Sequence, residues 1–209
     1  MIWLSILILV TAIAHIFADS FHRREICVIT KPLVMVEIGS LLLLQPGFWE
    51  SSIRLPILGG LLFSVVGDVF LLWPEKRFVA GLLSFLVAHI FYAYGFWHES
   101  STIFWLPVVL LVPVVVIFIW LLWGFLGALR LPVIIYTLII AWMLVCASSW
   151  LYSTPTLASF YAALGATLFV ISDACLAWQK FRGTYVLASL WIMATYYAAQ
   201  LLIVLSTCL

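Results

Sequence analysis

Eight long apolar segments divide this chain of 209 residues and leave little of it for anything else. Each segment has about the 20 residues that an α-helix needs to cross a hydrocarbon core. Apolar residues make up 67% of the sequence and charged residues 8%, which is far outside the range of soluble domains. The sequence therefore predicts an all-α membrane protein with one integral membrane domain. The eight predicted transmembrane helices cover about residues 2–19, 32–48, 56–73, 78–97, 102–122, 131–150, 157–178 and 184–206.

Prolines lie near most of the predicted boundaries. A proline in the first turn of a helix, or in the link before it, removes no hydrogen bond from the helix interior. We therefore expect these prolines to start or stop spans. They occur at Lys31-Pro32, Leu55-Pro56, Pro74, Leu131-Pro132 and Thr154-Pro155.

The basic residues indicate an orientation. Eight of the nine lysines and arginines belong to the links after spans one, three, five and seven, and Arg54 alone belongs to the other side. The positive-inside rule makes the richer side cytoplasmic. We therefore expect a multi-pass protein of a bacterial inner membrane with both termini non-cytoplasmic. The eight residues are Arg23, Arg24, Lys31, Lys76, Arg77, Arg130, Lys180 and Arg182.

Several functional classes are disfavoured by composition and motif. A net charge of +1 gives no basic surface broad enough to bind nucleic acid, which requires the neutralisation of many phosphates. The four cysteines contain no CxxC pair, and no HExxH motif, nucleophile elbow or phosphate-binding glycine loop occurs in the sequence. We expect no metal and no cofactor. A haem carrier using His15 and His89 is also disfavoured, because neither histidine is repeated in a second pair.

One polar motif occurs twice at a separation of 105 residues. Residues 67–77 read GDVFLLWPEKR and residues 172–182 read SDACLAWQKFR. Residues 60–95 match residues 165–200 at ten of 36 positions without gaps, and Pro32 and Pro132 fit the same scheme with a shift of five. Since four spans separate the copies, both enter the membrane in the same sense. The sequence thus predicts two parallel four-helix repeats, about 1–104 and 105–209. The shared polar pairs are Asp68 with Asp173, Trp73 with Trp178, Arg77 with Arg182, and Tyr92 with Tyr197.

Carboxylates inside the predicted spans are candidates for function. A charged side chain in a span is costly to insert and usually faces a cavity or the bundle interior. At the helical rise, Asp68, Asp173 and Glu37 each lie about 9–10 Å below the cytoplasmic ends of their spans, in one layer. A proton shared within this layer would leave one acid and one base. The alternative is that each carboxylate is a polar link between helices, with Lys31 or an aromatic side chain as partner.

Further polar residues lie deeper in spans four and eight. His89 and Tyr92 are three residues apart and share one face of a helix. Span eight contributes Tyr196, Tyr197 and Gln200. These residues either line the same cavity or are hydrogen-bonded packing residues. Four glycines are expected to permit close helix contacts, namely Gly59, Gly60, Gly67 and Gly165.

These residues and the motifs around them resemble those of the YhhN family of eight-span membrane proteins. The resemblance rests on GDVFLLWPEKRFVAGLLSFLVAHIFYAYGF, GATLFVISDACLAWQKF and TYYAAQLLIVLS, with the Lys31-Pro32 pair. It implies hydrolysis of the vinyl ether bond of lysoplasmalogens, releasing a fatty aldehyde and glycerophosphocholine or glycerophosphoethanolamine. The expected partners are this lysophospholipid substrate and the membrane lipids. The family pattern carries over to Lys31, Asp68, His89, Tyr92, Asp173, Tyr197 and Gln200.

The implied reaction suits two carboxylates. Vinyl ether hydrolysis is acid-catalysed, so one aspartate can donate a proton while the other stabilises the cation and activates water. We expect Asp68 and Asp173 to be catalytic, in either assignment. The alternative function is a small-molecule or lipid transporter, or a proton-coupled carrier, that uses the same carboxylates. The expected substrate-binding residues are Lys31, Glu37, His89, Tyr92, Tyr197 and Gln200.

Overall fold

The computed structural model describes residues 2–100 and 102–208, and Met1, Ser101 and Leu209 lie outside the described residues. Within these ranges, eight α-helices are long and apolar enough to cross a membrane. The predicted all-α, multi-pass membrane architecture is confirmed. The helices are α1 (Ile2–Ser20), α2 (Arg24–Leu43), α3 (Arg54–Leu71), α4 (Pro74–Glu99), α5 (Trp105–Leu122), α6 (Arg130–Ser153), α7 (Leu157–Arg182) and α8 (Ala188–Leu205). Short 3₁₀ helices occupy Phe48–Glu50 and Gly127–Leu129 in two of the links.

Except for α4 and α5, helices that are neighbours in the chain pack as antiparallel partners, with α3 against α4 and α7 against α8 as the tightest pairs. Contacts of α4 with α6, and of α8 with α1 and α2, join the first four helices to the last four. The core between them contains fully buried residues of several helices, including Ile57, Tyr92 and Phe169. Helix α5 lies at the edge of the bundle, packed against α6 and α7.

Glycines allow the two tightest helix pairs to approach. A Cβ on Gly60 of α3 would lie 2.1 Å from the ring of Tyr92 on α4. A Cβ on Gly165 of α7 would lie 3.0 Å from the carbonyl oxygen of Ala199 on α8. Both distances are too short for any side chain larger than hydrogen without movement of the partner. These two glycines, which are 105 residues apart, thus have the role that the sequence predicts.

The start of α2 differs from the prediction. The helix begins at Arg24, eight residues before the predicted start, and Pro32 lies inside it. The intervening turns are helical because their polar side chains have partners: Thr30 bonds the carbonyl of Ile26, and Lys31 pairs with a side chain on α3. Lys31 therefore lies within a span and does not belong to the link. The expectation that Lys31-Pro32 separates two spans is wrong.

The remaining boundaries differ by smaller amounts. Helix α4 starts at Pro74, where the missing N–H costs no hydrogen bond, and α7 continues to Arg182, four residues beyond its predicted end. Helix α8 starts at Ala188, later than predicted, after Leu187 in a left-handed conformation. Thr156 and Ser159 form a capping box at the start of α7.

The duplicated tryptophans and arginines form two equivalent contacts at one end of the bundle. The guanidinium of Arg77 lies 5.7 Å from the ring centre of Trp73, and that of Arg182 lies 5.0 Å from the ring centre of Trp178. We call this end, formed by the α1–α2, α3–α4, α5–α6 and α7–α8 links, the basic end. Arg54 lies at the opposite end, where it donates hydrogen bonds to the carbonyl of Thr207.

Candidate active site

A cavity of about 640 Å³ extends from the basic end into the bundle. Its mouth is charged and is lined by Asp19, Arg24, Glu75 and Lys180, which lie at helix ends beside three of the links. Other polar side chains also line the cavity. Those that concern the site are His15, Lys31, Asp68, Asp173 and Tyr196. We call this space the polar cavity, and both intramembrane aspartates lie on its wall.

Asp68 of α3 is almost completely buried and fully partnered. The Nζ atom of Lys31 on α2 lies 3.2 Å from its Oδ1 atom, and the hydroxyl of Tyr196 on α8 donates to its Oδ2 atom at 2.7 Å. Three helices therefore meet at this carboxylate. An ammonium ion beside a carboxylate stabilises its negative charge. Lys31 therefore offsets part of the cost of burying a negative charge at Asp68.

Asp173 of α7 has different partners. The hydroxyl of Tyr136 on α6 donates a hydrogen bond to its Oδ2 atom, and the Nε2 atom of His89 on α4 lies 3.9 Å from the same oxygen. Among the described residues, no lysine or arginine forms an ion pair with Asp173. The His89 ring is held edge-on against Phe169, with 4.6 Å between ring centres. Asp173 therefore lacks the fixed positive charge that accompanies Asp68.

A second cavity, of about 130 Å³, lies on the other side of Asp173. It is enclosed mainly by side chains of α4, α5, α6 and α7, and most of them are apolar. We call it the apolar cavity. Five residues line both cavities, namely Leu71, Phe78, Phe85, Asp173 and Leu176. The carboxylate thus stands where a polar space meets an apolar one.

Five of the six residues predicted to bind substrate line neither of these two cavities, namely Glu37, His89, Tyr92, Tyr197 and Gln200. Tyr92 donates to Gln200 Oε1 at 2.7 Å, which joins α4 to α8 behind the cavity wall. Tyr197 packs edge-on against His15, with ring centres 5.7 Å apart. Glu37 accepts a hydrogen bond from Thr11 on α1 at 3.1 Å. The structure thus brings Lys31 to the wall, His89 next to Asp173, and the other four into supporting positions.

Glu37 does not share the layer of the two aspartates. Lys31 is level with Asp68, and Glu37 follows Lys31 by six residues, or about 9 Å along the helix. The expected depth was too shallow because it was measured from a start of α2 that is eight residues too late. The three-carboxylate layer is therefore corrected to a pair of aspartates.

Three residues of the site were not among the predicted catalytic or substrate-binding residues, although Tyr196 was named with the polar residues of span eight. Tyr136 and Tyr196 hold the aspartates, and His15 lines the polar cavity with its Nδ1 atom 2.9 Å from the hydroxyl oxygen of Thr30. A signal for Tyr136 was present in the sequence, because it follows Lys31 by 105 residues, as Asp173 follows Asp68. The alignment of Pro32 with Pro132 used a different shift and concealed this correspondence. His15 and Tyr196 have no such counterpart.

Comparison of the chain with known proteins identifies its family. The model of the YhhN family matches residues 26–207. Lysoplasmalogenase TMEM86B of Mus musculus is 38% identical over 151 residues, which cover 71% of this chain and 61% of that protein. Lysoplasmalogenase TMEM86A of Bos taurus is 35% identical over 161 residues, with 70% and 62% covered.

A bacterial relative is matched over a larger share of its length. The uncharacterized membrane protein YhhN of Escherichia coli O157:H7 is 29% identical over 181 residues, which cover 84% of each chain. By contrast, the chain spans about three fifths of the length of the two lysoplasmalogenases. No solved structure matches the chain. With the family model covering all but the first helix and the extreme C-terminus, the chain belongs to the YhhN family.

Proposed function

We propose that this protein is a lysoplasmalogenase-like hydrolase. Its substrates would be lysoplasmenylcholine and lysoplasmenylethanolamine, and its products a fatty aldehyde with glycerophosphocholine or glycerophosphoethanolamine. The observation that carries the proposal is the unequal pair of aspartates on one cavity wall: Asp68 with a lysine partner, and Asp173 without one. Relatives that bear the name lysoplasmalogenase support the substrate class.

The proposed reaction begins with proton transfer to carbon. Asp173, in its protonated form, donates its proton to the β-carbon of the vinyl ether, and the double-bond electrons form the new C–H bond. The ether oxygen then shares the positive charge of an oxocarbenium ion. The ionised carboxylate of Asp68 stabilises this cation, as a glycosidase carboxylate stabilises its own.

Water then completes the reaction. A water molecule adds to the cationic carbon while Asp68 accepts one of its protons, which gives a hemiacetal. Asp68 passes that proton to the glycerol oxygen as the carbon–oxygen bond breaks. The remaining hydroxyl proton returns to Asp173, which restores its acid form and leaves the aldehyde. One water is consumed, and no other reactant is needed.

The surrounding residues have supporting roles in this proposal. Lys31 and Tyr196 hold Asp68 in its ionised form, and Tyr136 and His89 orient Asp173. Glu37, Tyr92, Tyr197 and Gln200 support the wall from behind. At the mouth, Arg24 and Lys180 provide positive charge for the phosphate of the head group.

We also propose that the aspartate occurs twice because the chain is a parallel repeat, with halves 1–104 and 105–209 in a single membrane domain. Two contacts support this. Lys31 pairs with Asp68 between α2 and α3, and Tyr136 bonds Asp173 between α6 and α7, with 105 residues separating the corresponding positions. In this proposal the basic end faces the cytoplasm of a bacterium, and both termini are non-cytoplasmic.

The proposal is tested by incubating the purified protein with lysoplasmenylcholine in D₂O. We expect equal amounts of aldehyde and glycerophosphocholine, with one deuterium at carbon 2 of the aldehyde after immediate reduction to the alcohol. The ester analogue, lysophosphatidylcholine, is the control and should be unchanged. Absence of aldehyde, together with lysolipid or proton movement across proteoliposomes, would support the carrier alternative instead.

A further inference from the structure

We propose that the apolar cavity binds the single hydrocarbon chain of the substrate, and that this chain enters sideways from the bilayer past α5. The inference rests on the proposed function for the identity of the lipid. It adds a binding site for the chain and an entry route, neither of which follows from the catalytic roles proposed for the two aspartates. Four observations about α4, α5, α6 and α7 support it.

The lining of the apolar cavity suits a hydrocarbon. Three polar side chains reach it, and each is already engaged or belongs to the site: Tyr136 bonds Asp173, and the hydroxyl of Thr137 donates to the carbonyl of Val133 at 2.8 Å. The rest of the lining is apolar. A polar ligand would lose its hydrogen bonds to water here, whereas a hydrocarbon chain has no hydrogen bonds to lose.

The position of Asp173 connects the chain to the chemistry. Since this residue lines both cavities, a lipid with its vinyl ether at Asp173 would extend its head group through the polar cavity and its chain through the apolar one. The vinyl ether is the junction between the head-group side and the chain of a lysoplasmalogen. The two cavities therefore match the two halves of one molecule.

The apolar cavity is closed beside the α5–α6 link. Leu122, Leu126 and Val133 form a small buried cluster there. Leu82, Phe118 and Phe181, which also line the cavity, pack against this cluster. A chain would therefore not enter this cavity from the aqueous side past the α5–α6 link.

The side of the cavity at α5 is exposed. Val114 lines the cavity, yet 58% of its surface is accessible from outside. Among residues 105–122, which are all described, Leu122 is the one fully buried residue, so much of the α5 surface is accessible from outside the bundle. Its close contacts are with α6 and α7, while α4 supplies Phe78, Leu82 and Phe85 to the same cavity. The α4–α5 side at Val114 is thus the place where a bilayer chain meets the cavity.

Photolabelling of the full chain tests the binding site without requiring catalysis. The probe is lysophosphatidylcholine with a diazirine near the end of its chain, added to protein in phosphatidylcholine nanodiscs. We expect labelling of α5 and α6 at cavity-lining residues such as Val115 and Ile140. Unlabelled lysophosphatidylcholine at about ten times its Kd should reduce this labelling by about tenfold. Labelling that resists competition, or that is confined to other helices, would overturn the assignment.

A matched pair of variants tests the entry route. Val114→Trp narrows the exposed side of the cavity, and Val116→Trp, at a neighbouring α5 residue that is 60% exposed and outside the lining, is the control. We expect Val114→Trp to lower kcat/KM for a long-chain lysoplasmalogen by about tenfold and to leave a four-carbon enol ether unaffected. Val116→Trp should affect neither substrate.

The outcomes separate this inference from the proposed function. Lateral entry would be overturned if the two tryptophan variants had the same kcat/KM for the long-chain substrate. It would also be overturned if Val114→Trp lowered kcat/KM equally for the long-chain and the four-carbon substrate. If the wild-type protein cleaves neither substrate, the hydrolase proposal fails. The competition experiment would still establish or refute the chain site in that case.

Discussion

Lys31 and Asp68 form an ion pair between α2 and α3, with Nζ 3.2 Å from Oδ1 and side-chain exposures of 12% and 1%. Two charges at such a position have lost much of their hydration. Each is therefore stable mainly because the other is present. The pair fixes the position of one carboxylate of the site and couples that position to the packing of two helices.

Breaking this pair should destabilise the fold. Lys31→Met leaves a buried carboxylate without its counter-charge, and we expect a loss of about 3–5 kcal/mol in the free energy of unfolding. The double variant Lys31→Met with Asp68→Asn should recover most of that loss, because neither charge remains. Chemical unfolding in detergent micelles measures the free energy of unfolding of the single and the double variant. Lys180→Met, at the exposed mouth, is the control and should change stability by less than about 0.5 kcal/mol.

Two tyrosine hydroxyls should matter for turnover and a third should not. Tyr136→Phe and Tyr196→Phe each remove a hydrogen bond to an aspartate. In the proposed reaction Asp68 is charged throughout, and Asp173 becomes charged as it donates its proton. Since hydrogen bonds to charged groups contribute about 1.5–3 kcal/mol, we expect kcat/KM to fall by about 10-fold to 100-fold in each variant. Tyr197→Phe is the control, because the Tyr197 hydroxyl has no hydrogen-bond partner among the described residues. An equal loss in all three variants would contradict specific roles for the first two.

The close approach of α3 and α4 should not tolerate a methyl group. Gly60→Ala places Cβ 2.1 Å from the ring of Tyr92, which cannot easily move because it is buried and bonded to Gln200. Overpacking of this kind costs about 1–3 kcal/mol, so the melting temperature should fall. Gly39→Ala in α2, where no atom lies within 4 Å of the added Cβ, should be neutral or stabilising. A stable Gly60→Ala variant would mean that the helices can separate.

Orientation can be measured with reporter fusions. Because most of the lysines and arginines lie at or near the basic end, we expect an alkaline phosphatase fusion at Leu209 to be active and a fluorescent-protein fusion there to be dark. The same reporters inserted after Gly124, in the α5–α6 link, should give the opposite result. A C-terminal reporter that is active only in the cytoplasm would contradict the orientation.

The sequence predicts the number and type of helices well because an apolar run of spanning length has few other outcomes. It fails at the start of α2, where Thr30 and Lys31 resemble a polar link. Their polarity is accommodated inside the bundle by His15 and Asp68, which belong to other helices. A hydropathy pattern contains no information about such partners, so the predicted start of the helix is eight residues too late.

The two aspartates of the site could be predicted from the sequence because charged residues are rare inside transmembrane spans. Asp68 and Asp173 are conspicuous for that reason, and both line the polar cavity. Their hydroxyl donors are ordinary tyrosines among many aromatic residues, and the choice of Tyr196 over Tyr197 depends on how α8 is rotated against α3. Sequence periodicity does not specify that rotation. The predicted depth of Glu37 in the membrane is too shallow because the predicted start of α2 is eight residues too late.

The central claim is that Asp173 and Asp68 act as one acid and base unit. The most direct test is aldehyde release from lysoplasmenylcholine by purified Asp68→Asn, Asp173→Asn and double variants, compared at equal amounts of folded protein. The amide keeps the shape of the side chain but can neither donate an acidic proton nor hold charge, so we predict a loss of about a hundredfold to ten-thousandfold for each single variant. The double variant should be little worse than either, because members of one catalytic unit are not additive. Retention of more than about a tenth of the wild-type rate by either single variant would contradict the claim and leave that aspartate a structural role.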